Sequence, residues 1–354
     1  MKRRSANRLF LALSLIGLIV IAGLPFAGWV RWSLASERPI DLLVYDSTVF
    51  DDQLREHNAI GLMMTYLKVP FNGATDYVGS SPGGLPFGTW PRQRPDLILL
   101  VDAYGVYVNE LADVDANGTV RISQTFPPSF ARDVVRWAGQ GTVVMAEFNM
   151  MHEPTDPGTS EMLQALFGID AIGWVGRSFE DLQDASPRLQ SLHAGAWDFQ
   201  GPGIVIVGTS VGTRTRDPAL VVLQAAQLES PRPRVTGNLL DESEELDISF
   251  DSWFALIEAD SGADTQLWIN LPVNDRGADL LEEWGIAHRS PFLVWNDNTV
   301  YAAGNLASTP AAFPARHIAG ALPVLKYLAA DGNAALFYRV YAPLVERLVQ
   351  MADR

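Results

Sequence analysis

Short runs of consecutive apolar residues, separated by stretches of helical periodicity, organise the chain after residue 40. Apolar residues recur at helical spacing over 55–67, and Pro127-Pro128 opens a helix through Trp137, because proline is tolerated in a first helical turn. The pattern predicts buried strands alternating with helices, which is typical of an α/β domain. The first three predicted strands are IDLLVY (40–45), DLILLV (96–101) and TVVMA (142–146).

The same pattern predicts the architecture of the whole domain. A helix over 160–167 precedes a fourth predicted strand at 169–174. We therefore expect a flavodoxin-like parallel sheet with helices on both faces. Residues 195–265 contain strand-like runs with little helix between them, and we interpret them as a β-rich insertion. The last helix is predicted over 322–351, with Pro343 either kinking it or starting a new one.

The N-terminus predicts a transmembrane helix. Residues 9 to 30 form an uncharged run of 22 residues, which is long enough to cross a bilayer. Basic residues precede it, so the N-terminus is expected in the cytoplasm and the domain outside the plasma membrane, as a single-pass protein. A signal peptide cut after Ala35 is the alternative, although its apolar run would be unusually long. The expected divisions are a cytoplasmic tail at 1–8, a transmembrane helix at 9–31, a stalk at 32–39 and an extracytoplasmic domain at 40–354.

Charge and composition exclude several functional classes. The net charge of −15 argues against a nucleic-acid partner. The membrane is the first partner expected, because of the N-terminal apolar run. Hydrophobic residues make up 48% of the chain and charged residues 19%, which is a globular balance. The chain has no Cys, which excludes disulfides, a thiolate metal site and a cysteine nucleophile. We expect no cofactor.

A carboxylate follows each of the first three predicted strands directly. Ligands of parallel α/β sheets bind at the carboxyl ends of the strands, so Asp46, Asp102 and Glu147 are candidate catalytic residues lining a cleft. Helix capping is the alternative, because an Asp after a strand often caps the next helix. Polar and aromatic residues nearby are candidate ligand-binding residues: His57, Tyr104, Tyr107, Asn149, His152, Trp174 and Arg177.

One segment resembles the first half of a calcium-binding loop. Asp113, Asp115 and Asn117 alternate before Gly118, as oxygen ligands do in such loops. Position 12 of the loop is Gln124 instead of the bidentate Glu. An Asn-Gly hairpin turn explains the same residues more simply. Calcium is therefore a weaker hypothesis than the carboxylate-lined cleft.

The chain resembles the class I glutamine amidotransferase-like superfamily, in particular its uncharacterised membrane-anchored bacterial members. The resemblance rests on the strand 96–102 with AYGVY after it, the strand 139–147 running into Glu147-Phe148-Asn149, Pro154-Thr155, Gly173-Trp174 and YAAG at 301–304. In amidotransferases the turn after the third strand carries a nucleophilic cysteine. This chain has no Cys, so the resemblance implies no glutaminase activity. Relatives that lost the cysteine point, by analogy alone, to carbohydrate or envelope-polymer functions.

Three functional hypotheses follow. The first is a non-catalytic module that binds a sugar or a cell-envelope polysaccharide in the carboxylate-lined cleft. The second is a glycan-directed hydrolase that uses Glu147 with Asp46 or Asp102. The third is a scaffold that holds the proteins of a membrane complex together through exposed apolar surface.

Overall fold

The computed structural model describes most of the chain after the N-terminus. Its described residues are 23–46, 59–71, 77–80, 86–87, 90–103, 126–152, 155–193, 195–208, 220–240, 245–306, 313 and 315–354. The N-terminal helical segment, residues 23–34, precedes the first strand. Within the described residues, no helix has both the length and the apolarity that crossing a bilayer requires. Residues 9–22, the first part of the predicted transmembrane helix, lie outside the described residues. The membrane span therefore stays a prediction.

A large mixed sheet forms the centre of the molecule. One half of it is parallel, in the order β5-β4-β1-β2, and β14 joins this half beside β5. The strands β1, β4 and β5 are buried along their whole length, as expected for a sheet covered on both faces. The parallel strands are β1 (Leu42–Asp46), β2 (Tyr77–Ser80), β4 (Leu97–Asp102), β5 (Val143–Glu147) and β14 (Thr299–Ala302).

The other half of this sheet is antiparallel, whereas the sequence predicted a parallel sheet with a β-rich insertion. Four strands extend it beyond β14 in the order β13-β12-β9-β10, and β3 pairs antiparallel with β2 at the opposite edge. The fold is therefore a mixed α/β fold. The strands concerned are β3 (Pro86–Phe87), β9 (Arg234–Gly237), β10 (Leu246–Ser249), β12 (Asp264–Asn270) and β13 (Arg289–Asn296).

A second sheet of four antiparallel strands contains the predicted fourth strand, which corrects its assignment to the parallel sheet. The order is β11-β6-β7-β8. Burial alternates along β6, so one of its faces is less covered, and β6 pairs antiparallel with both of its neighbours, β7 and β11. The strands are β6 (Ile169–Phe179), β7 (Gly203–Gly208), β8 (Leu220–Gln224) and β11 (Phe254–Ala259).

Helices cover both faces of the parallel strands. On one side α1 contacts α8, and α8 also packs on β4 and β5; on the other side α2 contacts α3 and β5, and α3 contacts β14. The helices are α1 (Ala59–Leu67), α2 (Pro128–Ala138), α3 (Pro157–Phe167), α4 (Pro187–Ser191), α5 (Asp275–Glu283), α6 (Ala321–Leu328), α7 (Gly332–Leu336) and α8 (Ala342–Ala352).

Local sequence signals explain where several of these helices begin and end. Asp156 caps α3 by accepting a hydrogen bond from the backbone N–H of Thr159, and Gly168 ends that helix at φ +64°. The single C-terminal helix predicted over 322–351 is instead divided into α6, α7, a π-helical turn at Phe337–Tyr341, and α8. Pro343 lies in the first turn of α8, where its missing N–H costs nothing.

Candidate functional site

Asp46, Asp102 and Glu147 are the last residues of three neighbouring parallel strands. They end β1, β4 and β5, which lie side by side in the order β5-β4-β1. The three acids therefore lie at neighbouring strand ends. Neighbouring strands lie about 4.8 Å apart, so the three strand ends span roughly 10 Å.

The residues just before these acids identify the face on which the acids lie. Tyr45, Leu100, Ala146 and Tyr301 are register partners across the four strands β1, β4, β5 and β14. The Tyr301 ring contacts Phe167 of α3, so this row faces α2 and α3. Side chains alternate along a strand, so Asp46 and Glu147 point to the other face, which α1 and α8 cover.

A β-bulge brings Asp102 into line with Asp46. The register passes from Tyr45 opposite Leu100 to Asp46 opposite Asp102, so Val101 is an extra residue in β4. A bulge of this kind re-aims the side chains that follow it, and bulges are frequent beside active sites. We call Asp46, Asp102 and Glu147 the acid row.

The acid row is buried. Asp46 is 0% exposed, Asp102 5% and Glu147 2%. Glu147 accepts a hydrogen bond of 2.9 Å through Oε2 from the backbone N–H of Leu306. Burial raises the pKa of Tyr341 well above its usual value, and the nearby negative charge of Glu147 raises it further. Glu147 therefore lies near both the segment that follows β14 and the start of α8.

The segment after Glu147 is also buried and hydrogen-bonded. The hydroxyl of Tyr301 donates to the carbonyl of Phe148 over 3.2 Å, and Ser160 donates to the carbonyl of Met151 over 2.8 Å. Burial lowers the pKa of His152 to about 4, so its imidazole is neutral at pH 7. His152 is only 3% exposed, and its carbonyl accepts the N–H of Thr155.

Trp174 and Arg177, two of the predicted ligand-binding residues, lie on β6 in the second sheet. Trp174 is buried and meets the Trp284 ring edge to face. Arg177 is exposed and lies over the ring of Trp253 at 5.9 Å. The carbonyl of Trp253 accepts the N–H of Asn305, the residue before the Leu306 that binds Glu147. Arg177 therefore contacts a residue that is hydrogen-bonded to the segment preceding Leu306. Trp174 instead lies beside the end of α5.

Several predicted site residues lie outside the described part of the chain. Asn149 belongs to the short turn after β5, and of this residue only the backbone is described. Among described residues, no group of three or more His, Asp or Glu side chains could hold a metal ion. The calcium-loop prediction is not tested by this. The predicted residues outside the described part are His57, Tyr104, Tyr107, Asp113, Asp115 and Asn117.

Two features of the site were missed by sequence analysis. Tyr341 lies beside Glu147 although the two are far apart in the chain, and nothing in the apolar pattern of the last helix marks it. The bulge at Val101 changes the register without leaving a local signal such as Gly or Pro. Both depend on how distant elements pack.

The N-terminal helical segment contacts the opposite end of the parallel strands. The indole N–H of Trp32 lies within hydrogen-bond distance of the carbonyls of Thr65 and Tyr66, in the last turn of α1. The N–H of Arg38 donates to the carbonyl of Lys68, just before β1 begins. These contacts lie at the amino end of β1, whereas the acid row lies at its carboxyl end, about 16 Å further along the strand.

No family model matches this chain, and no curated protein matches it. Solved structures that match it include a glutamine amidotransferase from Thermotoga maritima, at 9% identity and a TM-score of 0.37, covering 89% of this chain and 99% of the other. A ThuA-like protein from Parabacteroides merdae is 12% identical, with a TM-score of 0.36 and coverage of 80% and 88%. An exo-β-1,4-mannosidase from an Opitutaceae bacterium is 10% identical, with a TM-score of 0.32, and this chain spans only 36% of its length.

Proposed function

We propose that this chain is a membrane-anchored, extracytoplasmic domain that binds a sugar or a cell-envelope polymer beside the acid row, without glutaminase activity. The observation that carries the proposal is the alignment of Asp46, Asp102 and Glu147 at the carboxyl ends of adjacent parallel strands. Carboxylates at such a strand end accept hydrogen bonds from the hydroxyl groups of a sugar.

The order of residues along the chain supports a binding site at this end. His57 follows β1, and Tyr104 and Tyr107 follow β4, so the segments that leave the acid row carry polar and aromatic groups. Flat aromatic rings and polar tips are suited to sugar recognition. The position of the N-terminal helical segment at the amino end of β1 supports an acid row that points away from the membrane.

Glycan hydrolysis is the second candidate, and we rank it below binding. It assigns acid–base chemistry to Glu147, whose Oε2 already accepts the Leu306 N–H. General acid–base catalysis needs the carboxyl group within hydrogen-bond reach of the substrate. The absence of Cys from the chain supports a function other than glutamine hydrolysis.

The binding proposal is tested with the full chain in detergent. Co-sedimentation with isolated peptidoglycan sacculi and titration calorimetry with glucose-, mannose- and N-acetylglucosamine-based oligosaccharides measure affinity. We expect binding to at least one probe, weakened about tenfold by Asp102→Asn, because an uncharged amide replaces one strong acceptor. Asp279→Asn, on an exposed position of α5, is the matched control. Absence of binding to every probe, or equal affinity of the Asp102→Asn variant, contradicts the proposal.

The topology is tested separately. The chain has no Cys, so Ala287→Cys, on the exposed segment before β13, introduces a single thiol. A membrane-impermeant maleimide should label it in intact spheroplasts, and the labelled chain should stay with the membrane after carbonate washing. Labelling only after lysis would place the domain in the cytoplasm, and release by carbonate would contradict the anchor.

A further inference from the structure

Helix α6 carries an apolar face that the rest of the domain does not cover. Val324 is 59% exposed, Tyr327 88% and Leu328 68%. Their spacing of three and four residues places them on one side of the helix, whereas Leu322 is buried against the domain. Three large, exposed apolar side chains on one side of a short helix indicate a contact surface.

This face belongs to a larger apolar surface that includes the N-terminal helical segment. Four residues of that segment are exposed as well: Leu24, Phe26, Trp29 and Leu34. Among the described residues, only two other large hydrophobic side chains are exposed, Val135 and Trp284. The exposed apolar surface is therefore concentrated on two neighbouring elements.

Contacts place the turn that leads into α6 beside the N-terminal helical segment. The N–H of Ala319 donates to the carbonyl of Gly28 over 3.1 Å, and a Cβ on Gly28 would lie only 2.5 Å from Ile318. Gly28 thus permits a close approach that a larger residue would block. The ring of Trp32 packs on His317 at 4.5 Å, one turn further along.

The position of Gly28 in the predicted span relates the start of α6 to the bilayer. It lies within the predicted span of residues 9–30, two residues before its outer end. The chain that contacts Gly28 leads directly into α6 at Ala321. With the proposed membrane anchor, the start of α6 comes at the level where the span leaves the hydrocarbon core.

We infer that α6 lies in the outer membrane–water interface, with Val324, Tyr327 and Leu328 inserted among the lipids next to the N-terminal span. This inference rests on the proposed membrane anchor. Tyrosine is enriched at this depth, and the Lys326 stem can reach from the interface to water. Because the net charge is −15, the contact depends on apolar area and not on attraction to anionic lipid. A second contact of this kind would hold the domain at one orientation, with the acid row away from the bilayer.

The test uses the full chain reconstituted in phosphatidylcholine vesicles. Three single-cysteine variants, each carrying an environment-sensitive nitrobenzofurazan label, are compared: Tyr327→Cys on α6, Leu24→Cys in the span, and Ala287→Cys as the control. The control position is exposed and precedes β13, which runs antiparallel to β14, so it lies toward the carboxyl ends of the parallel strands. Lipids carrying a doxyl quencher near the headgroup report which labels contact lipid.

We expect a blue-shifted emission and strong quenching at position 327, and neither at position 287. Quenching at 24 with an aqueous, unquenched label at 327 overturns the inference about α6 and leaves the anchor standing. No quenching at either 24 or 327 contradicts both. A blue-shifted but unquenched label at 327 indicates that protein, and not lipid, covers α6, and this result also overturns the inference.

Discussion

Asp46 and Asp102 are register partners on adjacent parallel strands because Val101 is bulged out of the register. Both side chains are buried, at 0% and 5% exposure. Two carboxyl groups on backbones about 5 Å apart are close enough for a substitution at one to change the environment of the other. The bulge is what makes them neighbours: in an unshifted register, Val101 would lie opposite Asp46.

The pairing predicts that substitutions at the two positions are not additive. We expect Asp46→Asn and Asp102→Asn to show a coupling free energy of about 0.5–3 kcal/mol in a double-mutant cycle, since each changes the environment of the other. The free energy of unfolding in urea, measured for the wild type, both single variants and the double variant, gives this value.

The matched control combines Asp46→Asn with Asp279→Asn. Asp279 is exposed on α5, which packs near the short helix after β8 and far from β1. Their effects should add within about 0.5 kcal/mol. Additivity in the first cycle as well would mean that the two carboxylates do not interact.

Glu147 predicts a difference between two substitutions at one position. Glu147→Gln keeps an oxygen that can accept the Leu306 N–H, whereas Glu147→Ala leaves that buried donor without its acceptor. We expect the alanine variant to lose about 1–3 kcal/mol more unfolding free energy than the glutamine variant. Urea unfolding at pH 7 measures both. Equal losses would indicate that the hydrogen bond contributes nothing to stability.

Strand and helix signals near the site were readable from the sequence because they are local. The apolar runs of β1, β4 and β5 and the Pro128 start of α2 depend on residues close in the chain, and these elements are where they were predicted. The neighbourhood of β6 depends on distant partners. Its pairing with β11, about 80 residues later in the chain, could not be derived from a local pattern.

The same distinction applies to the site. The sequence showed that each strand ends in an acid, because that is a property of adjacent residues. It could not show that Glu147 accepts a hydrogen bond from Leu306 or lies beside Tyr341, since both contacts require the C-terminal third of the chain to be in place. The aromatic residues after β4 remain predictions.

His152 predicts a pH dependence of stability. Its pKa is about 4 in the folded chain, below the 6.5 of an unfolded one, because burial disfavours the charged imidazole. Between pH 6.5 and 4 the unfolded state therefore binds more protons, and stability falls as the pH decreases. The loss of unfolding free energy due to His152 is about 3 kcal/mol at pH 4, and it vanishes above pH 7.

The test compares the wild type with His152→Gln and His152→Phe by urea unfolding between pH 7 and 4. Carboxylates that titrate in this range are common to all three proteins, so they cancel in the difference. We expect the stability of the wild type relative to each variant to fall by about 3 kcal/mol on acidification. Parallel pH profiles would show that His152 is charged in the folded protein or is not buried as described.

The lack of a side chain at Gly176 allows β6 and β11 to pack closely within the second sheet. It is the register partner of Phe254, and a Cβ at this position would lie 2.4 Å from the Phe254 ring. Phe254 is fully buried and contacts Phe250, so its ring cannot move aside without disturbing the core. We expect Gly176→Ala to cost about 1–3 kcal/mol of unfolding free energy, as overpacking of a filled core does.

Gly262→Ala is the matched control, because nothing lies within 4 Å of its Cβ position, and its effect should be under about 1 kcal/mol. Equal stabilities of the two variants would mean that β6 can shift relative to β11, and that the close contact between these strands is not required by the fold.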